Sequence, residues 1–299
     1  MNLRDLEYFK YLAESLSFTK TAEHFFVSQP SISIALKRLE DEFNSTLIKR
    51  NRSTKHIQIT PSGQLLYQRT IEMLNLFNNT KTEIANLNSQ NVYFGFLPTI
   101  GGAYFTRILP YLTEFISDLK LVEEESSDEM LQLIRTRKVP AAIVGLDGSP
   151  LHERWLTQYE IDAKPLSVCV STTHPLAKYS EISAEQLAGQ SFLSLSKGYL
   201  HHKLFTKWAS ENNIDTTNVL YTDEIPTAHS IIASGIRVGL MIDTLVKDRT
   251  DIIAIPLKDS PLFYINLVLN NETDQIPAQL NFNAKLIEAV EKEFDAKPL

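Results

Sequence analysis

Cysteine is nearly missing from this chain: Cys169 is the only one in 299 residues. A single thiol excludes an intrachain disulfide framework and fits a reducing compartment. Its flanks, Leu166, Val168 and Val170, predict a buried strand rather than a redox sensor. Long apolar runs are missing too, and stretches such as Ala141–Leu146 are far too short to span a bilayer. The opening Met1-Asn2-Leu3-Arg4-Asp5 has no apolar h-region, so a cytoplasmic chain with no membrane partner is expected. Enzyme signatures are also wanting: there is no nucleophile elbow, no glycine-rich phosphate loop and no cluster of His, Cys and Asp. His201-His202 comes nearest to a metal pair, but adjacent helical positions do not face one another. No enzymatic activity, metal or cofactor is expected.

What is there suits two or three globular domains, with 43% hydrophobic and 22% charged residues. The net charge of −7 is unevenly divided. Residues 1–60 carry nine Lys and Arg against seven Asp and Glu, a surplus of +2, and residues 61–90 balance. Residues 91–299 carry eighteen against twenty-seven, or −9. That asymmetry fits a small nucleic-acid-reading head on an acidic body. The head is only weakly basic, so a monomer should hold DNA poorly and dimerisation is expected.

The chain is organised around Ser17–Leu39, which predicts two helices joined by a tight turn near Phe26-Val27. Ser17 caps the first helix, which runs through His24; Ser28 caps the second, with Pro30 in its first turn. Ile32, Leu36, Leu39 and Phe43 form a buried stripe on that second helix. Gln29, Ser31, Ser33, Ile34, Lys37 and Arg38 point away from it. Amides and hydroxyls there can read base edges, cations can pair with phosphate, and Ile34 can touch a thymine methyl. The alternative is a helical hairpin with a solvated polar face. Ahead of this pair a first helix is predicted over Leu3–Leu16, with Leu6, Phe9, Ala13 and Leu16 inward.

Residues 47–59 then predict a hairpin with a basic tip, four cations falling between Lys49 and Lys55. Thr60-Pro61 caps a long helix reaching about Asn88. Leu65, Leu66, Ile71, Leu74, Phe77, Ile84 and Leu87 spread along it, and one helix cannot hide them alone. Either they pack on the chain's own body or they pair with a second copy. From Val92 onward, short apolar strands alternate with helices, as in a parallel sheet with crossovers.

The N-terminal order resembles the winged helix of LysR-type transcriptional regulators. The resemblance rests on Leu6, Phe9, Ala13, Ser17-Phe18-Thr19, Ala22, Ser28-Gln29-Pro30, Ser33, Leu39-Glu40, Leu47, Arg50, Thr60-Pro61 and Gly63. Two residues depart from the pattern. Asn44 replaces a glycine but tolerates the left-handed conformation, and Ile48 replaces a phenylalanine. The C-terminal part resembles the family's effector domain through His174-Pro175-Leu176-Ala177 and Ser234-Gly235-Ile236 to Gly239. Pro140 stands there in place of a common aspartate. The N-terminal wording is also similar to regulators of malolactic genes in lactic acid bacteria, which implies a dicarboxylate such as malate.

The resemblance implies a chain of α/β class in three parts. A winged helix-turn-helix DNA-binding domain covers 1–60, and a linker and dimerisation helix with its hinge covers 61–90. A two-lobed α/β effector domain of periplasmic-binding-protein type covers 91–299, with lobe I about 91–162 and 266–299 and lobe II about 163–265. DNA would be met by Ser28, Gln29, Pro30, Ser31, Ser33, Ile34, Lys37 and Arg38 on the helix. In the wing Arg50, Arg52 and Lys55 would add contacts. The dimer would be made by Leu65, Leu66, Leu74, Phe77 and Ile84. In two-lobed open sheets a ligand lies beyond the carboxyl ends of the strands. Pro98, Thr99, Ile100, Gly101, Ser194, Ser196, Lys197 and Thr227 are therefore expected around an anionic effector, an organic acid. The partners implied are double-stranded promoter DNA, a second copy in a homodimer or tetramer, and RNA polymerase. An enzyme on an α/β scaffold and a solute-binding protein are the competing readings.

Overall fold

The computed structural model describes residues 1–50, 57–86, 89–272 and 276–299. The chain divides into two compact units, Met1–Ala85 and Asn86–Leu299.

The first unit begins with α1 (Leu3–Ser15), whose start is a reciprocal cap: Asn2 Oδ1 accepts from the Asp5 N–H and Asp5 Oδ2 from the Asn2 N–H. Next come α2 (Phe18–His24), capped by Ser17, and α3 (Gln29–Glu42), capped by Ser28 with Pro30 in the first turn. Leu6, Phe9, Leu12, Phe18, Ala22, Ile32, Ala35, Leu36 and Leu39 interlock as the core. Two inward positions expected from spacing turn out instead. Phe43 follows the last residue of α3 and is 45% exposed, and Leu16 ends α1 in a left-handed conformation and is also exposed. Leu12 fills the place that Leu16 leaves, while Ala13 is half-buried. Asn44 has φ +45, the conformation that glycine or asparagine tolerates best.

The strands β1 (Ile48–Arg50) and β2 (Ile57–Ile59) pair antiparallel as the base of the wing. Its tip, residues 51–56 with Arg52 and Lys55, lies outside the described residues. Glu40 sets the wing against α3 by accepting from the N–H groups of Leu47 and Ile48 at 2.8 and 3.3 Å. Then α4 (Pro61–Asn86) runs 26 residues, about 40 Å at 1.5 Å per residue. Thr60 Oγ1 caps it, accepting from the Gly63 N–H and donating to the Thr46 carbonyl. Gly63 must be glycine, since a Cβ there would lie 2.2 Å from the Leu47 carbonyl oxygen.

The second unit is built on nine strands. They are β3 (Val92–Phe96), β4 (Leu119–Glu123), β5 (Ala141–Leu146), β6 (Leu156–Ser171), β7 (Phe192–Leu195), β8 (Leu220–Thr222), β9 (Val238–Ile242), β10 (Ile252–Pro256) and β11 (Leu262–Asn270). The order is β4-β3-β5-β11-β6-β9-β7-β8, with β10 also paired to β6. Parallel pairs β3·β4, β3·β5, β7·β8 and β7·β9 build two lobes. The antiparallel strands β6 and β11 run through both. Two separate strands are expected at 155–161 and 166–170. They form one 16-residue strand because Asp162–Pro165 stays extended, paired with Leu262–Ile265.

The helices are α5 (Pro98–Ile108), α6 (Ser127–Arg135), α7 (Leu200–Glu211), α8 (Ile225–Ala233) and α9 (Pro277–Phe294). Strand β5, parallel to β3 and antiparallel to β11, is buried at all six positions, as a central strand covered on both faces should be. Among the described residues no helix is long and apolar enough to cross a membrane, and no group of His, Cys, Asp and Glu is placed to hold a metal ion.

Candidate DNA interface and effector cleft

On α3 the polar face stands clear of the core. Gln29, Pro30, Lys37 and Ile34 are exposed, Ile34 by 55%, while Ser31 and Ser33 are half-buried. Ser28 and Ser31 share a hydroxyl contact of 2.8 Å that belongs to the cap. Arg38 is held by the chain itself. Its guanidinium donates through Nε and Nη2 to the carboxylate of Asp5, fixing α1 to α3. Burial raises the Asp5 pKa, but Arg38 and the Asn2 N–H lower it more, leaving the carboxyl below its ordinary value. Arg38 thus pairs α3 with α1 while its side chain stays 46% exposed. The backbone of Arg50 lies in β1, at the foot of the wing.

The five residues expected at a dimer seam along α4 differ in burial. Leu66 and Leu74 are buried in the core of their own unit, with Thr70 between them. Their i, i+4, i+8 spacing faces α1–α3, so these two are corrected from seam to head core. Leu65, Phe77 and Ile84 are exposed, together with Met73 and Leu76.

The effector candidates separate more widely. A cavity of about 800 Å³ opens where β4 and β5 end opposite the start of α7. Among the residues lining it are Ser127, Asp147, Lys197, His202, Lys203 and Lys207. Ser127 opens α6, and its buried hydroxyl has no hydrogen-bond partner. Lys203 Nζ and Asp147 Oδ2 meet at 2.8 Å, joining α7 of one lobe to the loop after β5 of the other. That hydrogen bond holds Asp147 below its ordinary pKa and raises Lys203. His202 is kept below its ordinary value by burial and then by Lys197, so at neutral pH the lysines supply the positive charge.

Pro98 and Thr99 line a different cavity, of about 480 Å³, with Tyr104, Arg107, Asp162, Lys164, Thr244 and Lys247. There Tyr104 donates to Asp162 at 2.9 Å and Lys164 pairs with the same carboxylate at 3.5 Å. Burial, with Asp162 second, pushes the Tyr104 hydroxyl far above its ordinary pKa.

Ile100 and Gly101 are core residues. A Cβ on Gly101 would lie 2.2 Å from the Phe96 ring, so that glycine serves packing rather than ligand approach. Ser194 is buried and donates to the neighbouring Leu195 carbonyl at 3.1 Å, and the Ser196 N–H donates to the Thr222 carbonyl. The helix α7 starts at Leu200, three residues beyond Lys197. Thr227 is exposed in the first turn of α8 and lines neither cavity. Spacing alone did not single out Ser127, Asp147 and Lys203. The signal for Ser127 was readable, since Ser126-Ser127-Asp128 opens a helix directly after a strand.

Two further groups are chemically quiet. Cys169 is fully buried in β6, and burial pushes its thiol up to about 12, so it is no nucleophile at physiological pH. His201 is buried against Phe263, with ring centroids 4.9 Å apart and neither nitrogen partnered. Burial holds it down at about 3.

The comparisons agree with this architecture at both ends. Residues 3–64 match the model of the bacterial regulatory helix-turn-helix protein, lysR family, and residues 85–290 match the LysR substrate binding domain. The malolactic fermentation system transcriptional activator of Lactococcus lactis is 30% identical, covering 94% of this chain and 97% of that one. The HTH-type transcriptional regulator CatR of Pseudomonas putida is 28% identical over 87% and 89%. Among solved structures, CbnR, a LysR family transcriptional regulator, has a TM-score of 0.59 at 15% identity, covering 98% of this chain and 99% of that one. That likeness speaks for the fold alone. The chain belongs to the LysR family: it is a DNA-binding transcriptional regulator with an effector-binding domain, not an enzyme.

Proposed function

We propose that this regulator works as a homo-oligomer, with α3 in the major groove of promoter DNA, and that a small anionic metabolite between its two lobes alters its grip. The observation that carries the effector reading is the 800 Å³ cavity, where an unpartnered buried hydroxyl opens α6 beside three lysines. A helix start with free N–H groups favours an anion, and lysines supply full charge. Asp147 already occupies Lys203, so an entering carboxylate competes with it and bears on the one ion pair described there between the lobes. A ligand that binds one lobe arrangement better shifts the population toward it. The acidic body, at −9, favours such an anion only at local positive spots. Dicarboxylates lead the panel, malate first, because the sequence resemblance and the Lactococcus relative both point to a malolactic system.

The apolar side of α4, with Leu65, Met73, Leu76, Phe77 and Ile84 exposed, supports pairing with a second copy. RNA polymerase is a further partner proposed on family grounds.

The test is a gel shift with full-length protein, at two salt concentrations, across a panel of organic acids. DNA affinity should fall steeply with salt, and one acid should change it. Replacing Ser127 or Lys197 with Ala should remove the response to that acid while leaving affinity without it within about threefold. Both variants responding normally would place the effector elsewhere.

A further inference from the structure

Phe26 stands where a helix ending ordinarily takes glycine or asparagine. After α2 the Val27 N–H donates to the Ala22 carbonyl at 2.9 Å and the Phe26 N–H to the Glu23 carbonyl at 3.2 Å. Those paired bonds close the helix with one left-handed residue, and Phe26 supplies it at φ +54. An aromatic side chain is strained there. The neighbouring Phe25 turns inward, its ring 4.8 Å from that of Tyr8 and 5.8 Å from that of Tyr11. Phe26 points the other way and is 94% exposed. Its ring thus adds nothing to the core while it strains the turn. Strain combined with exposure at one position points to a use outside the chain.

Its place in the fold says where. Phe26 lies two residues ahead of Ser28, the cap of α3, and a helix-turn-helix sets the N-terminal end of its second helix against base edges. A phenyl ring has no charge for phosphate and no donor for a base nitrogen or oxygen. The apolar group that a major groove offers is the thymine C5-methyl.

We propose that Phe26 is a specificity-determining contact to DNA, its ring resting on the methyl group of a thymine beside the base pairs read by Gln29. This rests on the placing of α3 in the major groove proposed above. It also makes the turn, and not α3 alone, part of the reading surface.

The experiment uses full-length protein and a pool of randomised duplexes. Sequences are selected with wild type, Phe26→Asn, Phe26→Leu and Gln29→Ala. Thymines in the wild-type choice are then replaced one at a time by deoxyuridine, which lacks only the methyl. One replacement should weaken wild type and Phe26→Leu by about fivefold and leave Phe26→Asn unaffected. Phe26→Asn should fold with an unchanged or higher melting temperature, since asparagine accepts the left-handed turn. The inference is overturned if Phe26→Asn keeps wild-type affinity and thymine preference, or if it weakens every duplex alike. A change in its sedimentation instead would mean that the ring meets protein, which also overturns it. If Gln29→Ala alone changes the selected sequence, only the role of Phe26 fails. If neither variant changes it, the groove placement of α3 fails as well.

Discussion

The two units treat buried polar groups differently. In residues 1–85 one buried side-chain polar atom among the described residues lacks a partner, the hydroxyl of Thr70. In residues 86–299 six do: Ser127 Oγ, both nitrogens of His201, His229 Nε2, Thr244 Oγ1 and Asn266 Nδ2. Ser127 and Thr244 each line a cavity of that unit. Desolvating a hydroxyl without a partner costs about 1–3 kcal/mol, so such groups persist mainly where water, an ion or a ligand meets them. The head thus sets an exposed polar helix face over a core with one such group, and the other unit keeps its unpartnered groups inside, two of them at cavities.

The largest test of that contrast is in α4. Leu74→Glu puts a carboxylate into the head's core and should cost about 4 kcal/mol, whereas Leu76→Glu on the exposed side should change monomer stability by less than about 0.5 kcal/mol. Urea unfolding and sedimentation of residues 1–90 separate the two. The Leu76 variant should stay folded and lose the dimer. If Leu74→Glu leaves a folded monomer, Leu74 is no part of the head's core.

Next comes the buried charge of the head. Asp5 is almost fully buried and relies on Arg38, so Arg38→Ala should destabilise the head at pH 7. Because the folded Asp5 pKa lies below its unfolded value of 3.8, the pair's contribution is present above that value and lost as pH falls through the folded one. Wild type and variant should converge under acid, and a gap that persists there would exclude the pair as its source.

For the effector unit, His201 sets the opposite sign of group against the same direction of pH. The unfolded imidazole takes a proton near 6.5 and the folded one only near 3, so stability falls as pH drops below 6.5. Between pH 7 and pH 5 this should remove about 2 kcal/mol, most of which His201→Leu should retain. Equal acid sensitivity in the two proteins would show that His201 finds a partner after all. The smallest effect is expected at Cys169, whose thiol should resist modification in the folded protein at pH 8 and react once urea is added. Rapid labelling without urea would put it back among sensor thiols.

The head was legible where structure is local. Ser17 and Ser28 cap their helices, Asn44 takes the turn, and Ile32, Leu36 and Leu39 face inward, because each depends on neighbours three or four residues away. Phe43 failed the same rule because α3 stops one residue before it. In the effector unit the alternation of short strands with helices from Val92 onward was legible. The site was not. Thr99 and Lys197 both follow strands, yet they line separate cavities.

Sequence alone therefore determined the elements, their caps, the charge division between head and body, and the family. The elements, caps and charge division follow from periodicity, capping chemistry and composition, and the family from the resemblance of its motif residues. Tertiary structure alone decided that Leu66 and Leu74 belong to the head, that Arg38 answers Asp5 thirty-three residues away, and that Ser127, Lys197 and Lys203 line one cavity. The reason is physical: a strand's side-chain alternation says which face a residue takes. Which loops meet at its end depends on strand order, set by pairings such as β6 with β11 across about a hundred residues of chain.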